Sequence, residues 1–430
     1  MPPVRSDRMR APGSRADGLP PGPSVPAPVQ TLTLARDPLG VLSRCRGRFG
    51  PVFTLDLATV GPTVVLSDPE AAPMVVSSAC AGEARRQVLP QASPHSSFGG
   101  EGGEWKAARG RLRHAFTRER LETFTGEMAA VAADHADALP LGRPILLLSR
   151  LRALTQAIFT RFVLGVPDAE RADEISAAIG RVIRVPGNPP LTPPGADDGP
   201  LGRLVDSVLR ERLVPLVELL DREIRERRAR RGGPDGLLTD LALGEPERDP
   251  RVIVDELFVV LAAAQEPPSI AMTWVLERLS RESDLGLRFD ESDDAGRAMI
   301  VDEVLRLRPP AMASLRTLPE PVPTGGGELP AGTSVMVPGL LLHREPALFD
   351  RPDEFRPDRF ADGRPAAFIA FGGGPRSCPG ESLARLQLAV VVPILRERIR
   401  LELPGRPERP VQRATVLAPH RSGLCVARCA

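Results

Sequence analysis

The sequence predicts a mainly α protein with a small β lobe, and three observations carry that class. Two short β-branched segments near the start, 48–56 and 62–66, are bounded by Gly or Pro as the arms of a hairpin are. Apolar residues at helical spacing dominate from Trp105 onward. A glycine-rich loop at 371–380 leads into a last helix, after a switch to short β segments over 311–340.

Residues 1–30 are rich in Pro, Gly and Arg without periodicity and predict a loose lead-in. Helical patterns follow the hairpin at about 105–139, 142–164, 168–184 and 199–231, with a Pro/Gly loop at 186–200 between the last two. Asp249 is placed to cap the longest helix, with Pro250 at its first position. That helix runs some thirty residues through Leu257, Leu261, Met272 and Leu279, and Pro267-Pro268 are expected to interrupt or kink it. A further helix, about Asp293 to Leu307, stops at Pro309-Pro310, and the last covers about Glu381 to Glu397. No internal repeat and no second domain are apparent.

Composition excludes several classes. Across 430 residues, 42% are hydrophobic, enough for a sizeable core. The 48 prolines and 39 glycines are an enrichment, yet below the level of a disordered chain. With 56 basic against 55 acidic residues there is no excess charge for a nucleic-acid partner. Nearly all the positive charge is Arg, and Tyr is absent, which reads as compositional bias. The five cysteines form no C-x-x-C pair, so neither a zinc cage nor a disulfide framework is expected. The N-terminus lacks an apolar core of signal-peptide length, and the apolar stretch Leu386 to Leu395 falls short of the roughly 20 residues a span requires. The expectation is a cytoplasmic protein without a membrane anchor.

The strongest chemical signal is the segment from Phe371 to Gly380. A lone cysteine, Cys378, sits in a Gly/Pro loop just before a helix, whose N-terminus favours thiolate over thiol. Gly372, Gly373 and Gly374 let backbone approach a flat partner, and Arg376 can reach an anionic group. This loop resembles the thiolate loop of the haem-thiolate monooxygenases, the cytochrome P450 family. The family pattern fixes Phe, Gly, Arg, Cys and Gly at the spacing of Phe371, Gly374, Arg376, Cys378 and Gly380.

Other motifs stand in the family's order. Glu303-Val-Leu-Arg306 is similar to its Glu-x-x-Arg, whose i, i+3 spacing puts both side chains on one helix face. Phe355-Arg-Pro-Asp-Arg359-Phe360 resembles the later Phe-x-Pro-Glu-Arg-Phe, with Asp358 where Glu is more usual. The resemblance implies a buried structural network of Glu303, Arg306 and Arg359. Trp105-Lys-Ala-Ala-Arg109 resembles a motif aimed at a haem propionate, and Arg316 and Arg376 match further propionate contacts.

The resemblance covers about residues 20–425. It implies a triangular helical prism with a long central distal helix, a single haem-thiolate oxygenase domain over 31–430, and haem b held by Cys378. Trp105, Arg109, Ala263, Arg316, Phe371, Gly372, Arg376 and Gly380 would border the cofactor. The implied partners are a mid-sized, mostly apolar small molecule of secondary metabolism, dioxygen, and a separate electron donor (a ferredoxin with its reductase). Arg109, Arg111 and Arg113 are expected to form a basic helix face on which that donor docks.

The distal helix departs from the pattern. Where the family carries a small pair, an acid and a threonine, this chain reads Ala263-Ala264-Gln265-Glu266-Pro267-Pro268. Glu266 keeps the acid, while Pro267 replaces the alcohol. Ser269, rotated by about 200°, is a poor substitute. The prolines free the carbonyls of Ala263 and Ala264 from their helical partners. Glu266, Pro267 and Cys378 are the expected catalytic positions, with Glu266 relaying protons. The missing threonine leaves a peroxide-using or oxidative-coupling enzyme as the alternative. Segments 84–104, 185–200 and 260–268 would border the substrate. His343, in Leu-His-Arg-Glu-Pro, is expected to be structural.

Overall fold

The computed structural model describes residues 18–58, 60–78, 102–166, 168–183, 200–244, 248–413 and 416–430. The expected substrate-bordering stretches 84–101 and 185–199 lie outside these residues. The chain opens on helices α1 (Ala27–Arg36) and α2 (Pro38–Phe49) and the hairpin of β1 (Val52–Leu57) and β2 (Gly61–Leu66), followed by α3 (Ala71–Ser77). A helical run comes next: α4 (Gly102–Ala115), α5 (Arg118–Thr123), α6 (Thr125–Asp137), then strand β3 (Pro144–Leu146) and α7 (Leu147–Ile158). A π turn over Phe159–Val163 extends α7, and α8 (Ala169–Ile183), α9 (Pro200–Arg230), α10 (Leu237–Gly244) and α11 (Pro250–Arg281) follow.

Helices α12 (Ser283–Glu291) and α13 (Asp294–Leu307) lead to β4 (Ala313–Thr317), β5 (Val322–Thr324), β6 (Gly327–Leu329) and β7 (Ser334–Pro338), then the single turn α14 (Gly339–Leu342). The chain closes with α15 (Glu381–Arg398), β8 (Ile399–Glu402), β9 (Pro410–Arg413), β10 (Val416–Pro419) and β11 (Leu424–Cys429). The architecture is mainly α with a small β lobe, as the sequence predicts. The expected helix over about 105–139 is divided into α4, α5 and α6, and the start of the 142–164 pattern is the strand β3.

The lobe's main sheet has the order β1-β2-β7-β4. β1 and β2 pair antiparallel from Val52↔Leu66 to Leu57↔Gly61, and β7 joins β2 in parallel at Val64↔Val335. The expected lead-in ends earlier than residue 30. Thr54 donates its N–H to Pro21 O at 3.0 Å and its hydroxyl to Pro20 O at 2.7 Å, and α1 begins at Ala27. Prolines, fixed in φ and lacking donors, suit an extended strap whose carbonyls face a strand.

Helix α11 crosses the core. Asp249 caps it by accepting from Arg251 N at 2.8 Å, with Pro250 in the first turn. Leu257, Leu261, Ile270, Met272, Val275 and Leu279 are buried along it. The expected interruption at Pro267-Pro268 does not occur, because the helix continues as one element to Arg281. Each proline removes one bond, while packing of α11 against α7 and α15 holds the remaining turns in place.

His343 pins the route into the cysteine loop. Fully buried beyond the C-terminus of α14, it places Nδ1 2.9 Å from Arg306 O and Nε2 2.9 Å from Ile369 N. Ile369 N–H can only donate, so Nε2 accepts and Nδ1–H donates to Arg306 O. Burial pushes the His343 pKa down to about 3. The unfolded imidazole takes up a proton below its ordinary value of 6.5 and the folded one does not until about 3. Stability contributed by neutral His343 is therefore intact above 6.5 and is lost as pH falls through that window. Denaturant unfolding at stepped pH should show His343→Gln losing up to about 1.4 kcal/mol per pH unit of the wild-type acid slope. Identical slopes below pH 6.5 would contradict the neutral, doubly bonded imidazole.

Candidate active site

The cysteine loop is shaped by contacts a longer side chain would break. Cys378 N–H donates to Phe371 O at 2.8 Å and closes the turn. Gly374 has φ +61°, and a Cβ there would run into the carbonyl oxygen of Ser77, while one at Gly373 would lie 2.9 Å from Val76 Cγ1. Only glycine meets both the left-handed backbone and the close approach at 374. At Gly380 a Cβ would meet nothing within 4 Å. Cys378 is exposed at the turn, and α15 begins three residues later.

Three guanidinium groups gather at this loop. Arg109, on α4, donates to Pro375 O at 3.2 Å and to Ser377 O. Arg376 lies 4.5 Å and Arg109 5.8 Å from the centre of the Trp105 ring. Arg316, on β4 and fully buried, donates to Leu315 O and to Val76 O, next to the residue that Gly374 approaches. Burial and the nearby Arg113 guanidinium push the Arg109 pKa below its ordinary value, partly offset by Cys378. The expected basic docking face is not formed as a unit. Arg111 points about 200° away from Arg109 and Arg113 on a helix, Arg109 is turned into the cysteine loop, and only Arg113 of the three is fully exposed.

The network expected around Glu303 is present. Arg306, fully buried, donates to both Glu303 carboxylate oxygens at 2.7 and 2.9 Å and to the carbonyls of His343, Pro352 and Glu354. Arg359 Nε reaches Glu303 Oε1 at 3.2 Å, and Arg356 N–H adds a bond at 2.7 Å. Asp358 lies outside the network and pairs with Arg288. Neighbouring Asp302, also buried, takes Arg364 and Arg385 at 2.7 and 2.8 Å.

On the distal side, Ala263 is exposed midway along a helix whose neighbours Leu261 and Gln265 are buried. Glu266 and Pro267, half-buried, follow one turn later on that face. Glu266 is not a free acid. Both its oxygens pair with Arg152 of α7, at 2.6 and 2.8 Å. Gln265 Nε2 donates to Gln156 Oε1 at 2.7 Å, and Thr155 Oγ1 to Gln265 O at 3.3 Å. Ser269 bonds back to Glu266 O at 2.8 Å, which removes it as a stand-in for the missing threonine.

Sequence reading missed Arg152 as the partner of Glu266 and the Asp302–Arg385 pair. They lie 114 and 83 residues apart, and no short motif marks either. Among the described residues no cluster of His, Cys, Asp or Glu could hold a metal ion, and no helix is long and apolar enough to cross a membrane.

The arrangement fits haem. An exposed cysteine stands on a glycine turn, an exposed alanine lies between buried Leu261 and Gln265 on the central helix, and Arg109 carries a buried Nε with no hydrogen-bond partner. Guanidinium groups beside an indole suit the carboxylates of a flat macrocycle. Fold and site together suit a haem-thiolate enzyme.

The sequence profile described as Cytochrome P450 matches residues 298–426. Cytochrome P450 135B1 of Mycobacterium tuberculosis is 29% identical over 95% of this chain and 91% of its own length. Cytochrome P450 138 of Mycobacterium bovis is 27% identical over 97% and 98%. The fold matches retinoic acid-bound cyanobacterial CYP120A1, with a TM-score of 0.79 and 20% identity over 96% of this chain and 99% of that one. It also matches CYP175A1 of Thermus thermophilus, at 0.72 and 24% over 92% and 96%. Over nearly its whole length the chain is similar to bacterial cytochromes P450, and the profile of that family matches its C-terminal part.

Gly374→Ala should cost about 2 kcal/mol or more, since it combines a left-handed alanine with a backbone collision. Haem bound per purified chain should drop well below that of wild type. Full haem occupancy with unchanged thermal stability would contradict the fit drawn for this turn.

Proposed function

We propose that the protein uses dioxygen to hydroxylate or otherwise oxidise a mid-sized, mostly apolar small molecule of secondary metabolism, in the cytoplasm. Electrons would come from a separate ferredoxin and its reductase. The observation that carries this reading is exposed Cys378 on its glycine turn, together with exposed Ala263 on the central helix. Cys378 would ligate haem b; Trp105, Arg109, Arg316 and Arg376 would hold its carboxylates; and Phe371, Gly372 and Gly380 would flank the proximal face. Ala263 would face it from the distal side. Thiolate-bound haem supplies the electron-rich iron that favours O–O cleavage.

The protein's own part is positioning, exclusion of water and control of protons. Glu266 holds or passes a proton at its carboxylate, and Arg152 restrains that carboxylate on the α7 side. The carbonyls of Ala263 and Ala264, released by Pro267 and Pro268, accept hydrogen bonds from water or from a substrate hydroxyl. Glu303, Arg306 and Arg359 brace the framework, where loss of one partner strands a buried charge. The Arg152–Glu266 pair argues against a substrate carboxylate held at that point, and so against peroxide-driven fatty-acid oxidation.

Turnover under isotopically labelled dioxygen, with a surrogate ferredoxin and reductase and a compound that perturbs the resting spectrum, tests the reading. One labelled atom should enter the product, and Pro267→Thr should change the peroxide released per reductant severalfold. Product made only with added peroxide would contradict dioxygen use. Unchanged coupling in Pro267→Thr would remove position 267 from oxygen activation.

A further inference from the structure

We propose that Arg385 is a positioning residue for the thiolate turn and acts through the ring of Phe371. Its guanidinium carbon lies 4.7 Å from the centre of that ring. Two carboxylates aim it: Nη1 donates to Asp302 Oδ1 at 2.8 Å, and Nε donates to Glu381 Oε1 at 2.8 Å. Asp302 is 2% exposed and its other oxygen accepts from Arg364 Nε at 2.7 Å, so this anchor is fixed from two sides. Phe371 is also the residue whose carbonyl accepts the Cys378 N–H.

Contact therefore runs without a gap from α13, through Asp302 and Arg385, to Phe371 and the backbone of Cys378. A cation over a ring face, partly removed from water, is held more strongly than one at an open surface. With the ring clamped, the Phe371 carbonyl keeps its direction and the turn keeps its shape. Arginine suits this place because one planar group can face the ring with its surface while donating at its edge to both carboxylates. The ammonium of a lysine has no such plane. Adjacent residues of α13 thus serve two devices: Glu303 the buried network with Arg306 and Arg359, and Asp302 the clamp on the cysteine loop.

This inference rests on Cys378 being the haem ligand. In the holoenzyme, the half-life at fixed temperature of the red-shifted band of the ferrous carbon monoxide adduct reports how firmly the turn holds that ligand. Arg385→Met should shorten it about fivefold, the rate equivalent of a partly desolvated cation–ring contact. Arg385→Lys, the milder change, should fail to restore it. In a Phe371→Leu background Arg385→Met should add little, and Arg364→Met, which loosens one side of the Asp302 anchor without touching the ring, should shorten the half-life clearly less than Arg385→Met does. A wild-type half-life in Arg385→Met, rescue by Arg385→Lys, an undiminished effect in Phe371→Leu, or an equal loss in Arg364→Met would each overturn the clamp. A wild-type holoenzyme without the band would overturn the ligand assignment itself, and the clamp with it.

Discussion

The hydrogen bond from Cys378 N–H to Phe371 O, 2.8 Å long, closes the turn on which the rest of this molecule depends. It presents the sulfur outward at the start of α15 while the chain behind it doubles back against the β lobe. Gly374 makes that reversal possible, because it lies against the backbone of Ser77 in a conformation that side chains disfavour. The lobe is thus a wall for the loop: Val76 and Ser77 end α3 beneath the glycines, and Arg316 ties β4 to the same point. His343 holds the incoming chain at Ile369, and Arg109 caps the loop carbonyls from α4.

The other wall is α11, where Glu266 and two prolines stand in place of the acid and threonine of the pattern that the sequence resembles. A proline in a helix interior costs about 3 kcal/mol, through a lost donor and a steric clash. Here two are accepted in succession and the helix still runs its full 32 residues. The surrounding polar contacts show what supports it. Arg152 holds Glu266, Gln156 holds Gln265, and Thr155 binds the Gln265 carbonyl, all from α7. The carbonyls left over belong to Ala263 and Ala264, on the turn that carries the exposed alanine.

Much of this was legible in the sequence where spacing alone decides a contact. The i, i+3 interval of Glu303 and Arg306 placed them on one helix face, and the buried ion pair is there. The cap at Asp249 and the hairpin at 52–66 were likewise local. Long-range pairs were not. Arg152 meets Glu266 across 114 residues and Arg385 meets Asp302 across 83, and in an arginine-rich chain nothing distinguishes those two arginines beforehand. Two errors were physical. Local proline chemistry suggested an interruption or a kink, and the interruption is absent because tertiary packing holds the helix as one element. Arg109, Arg111 and Arg113 read as one face because they are close in sequence, although alternate helix positions point apart and Arg109 is spent on loop carbonyls.

The most direct measurement is the absorption spectrum of the carbon monoxide adduct of the reduced, haem-supplied protein, set beside that of Cys378→Ala. Wild type should show the strongly red-shifted thiolate band, and the variant should lose it while keeping its helical content. A wild-type protein that stays colourless after haem supply, or a variant that retains the band, would show that the sulfur of Cys378 does not hold the iron.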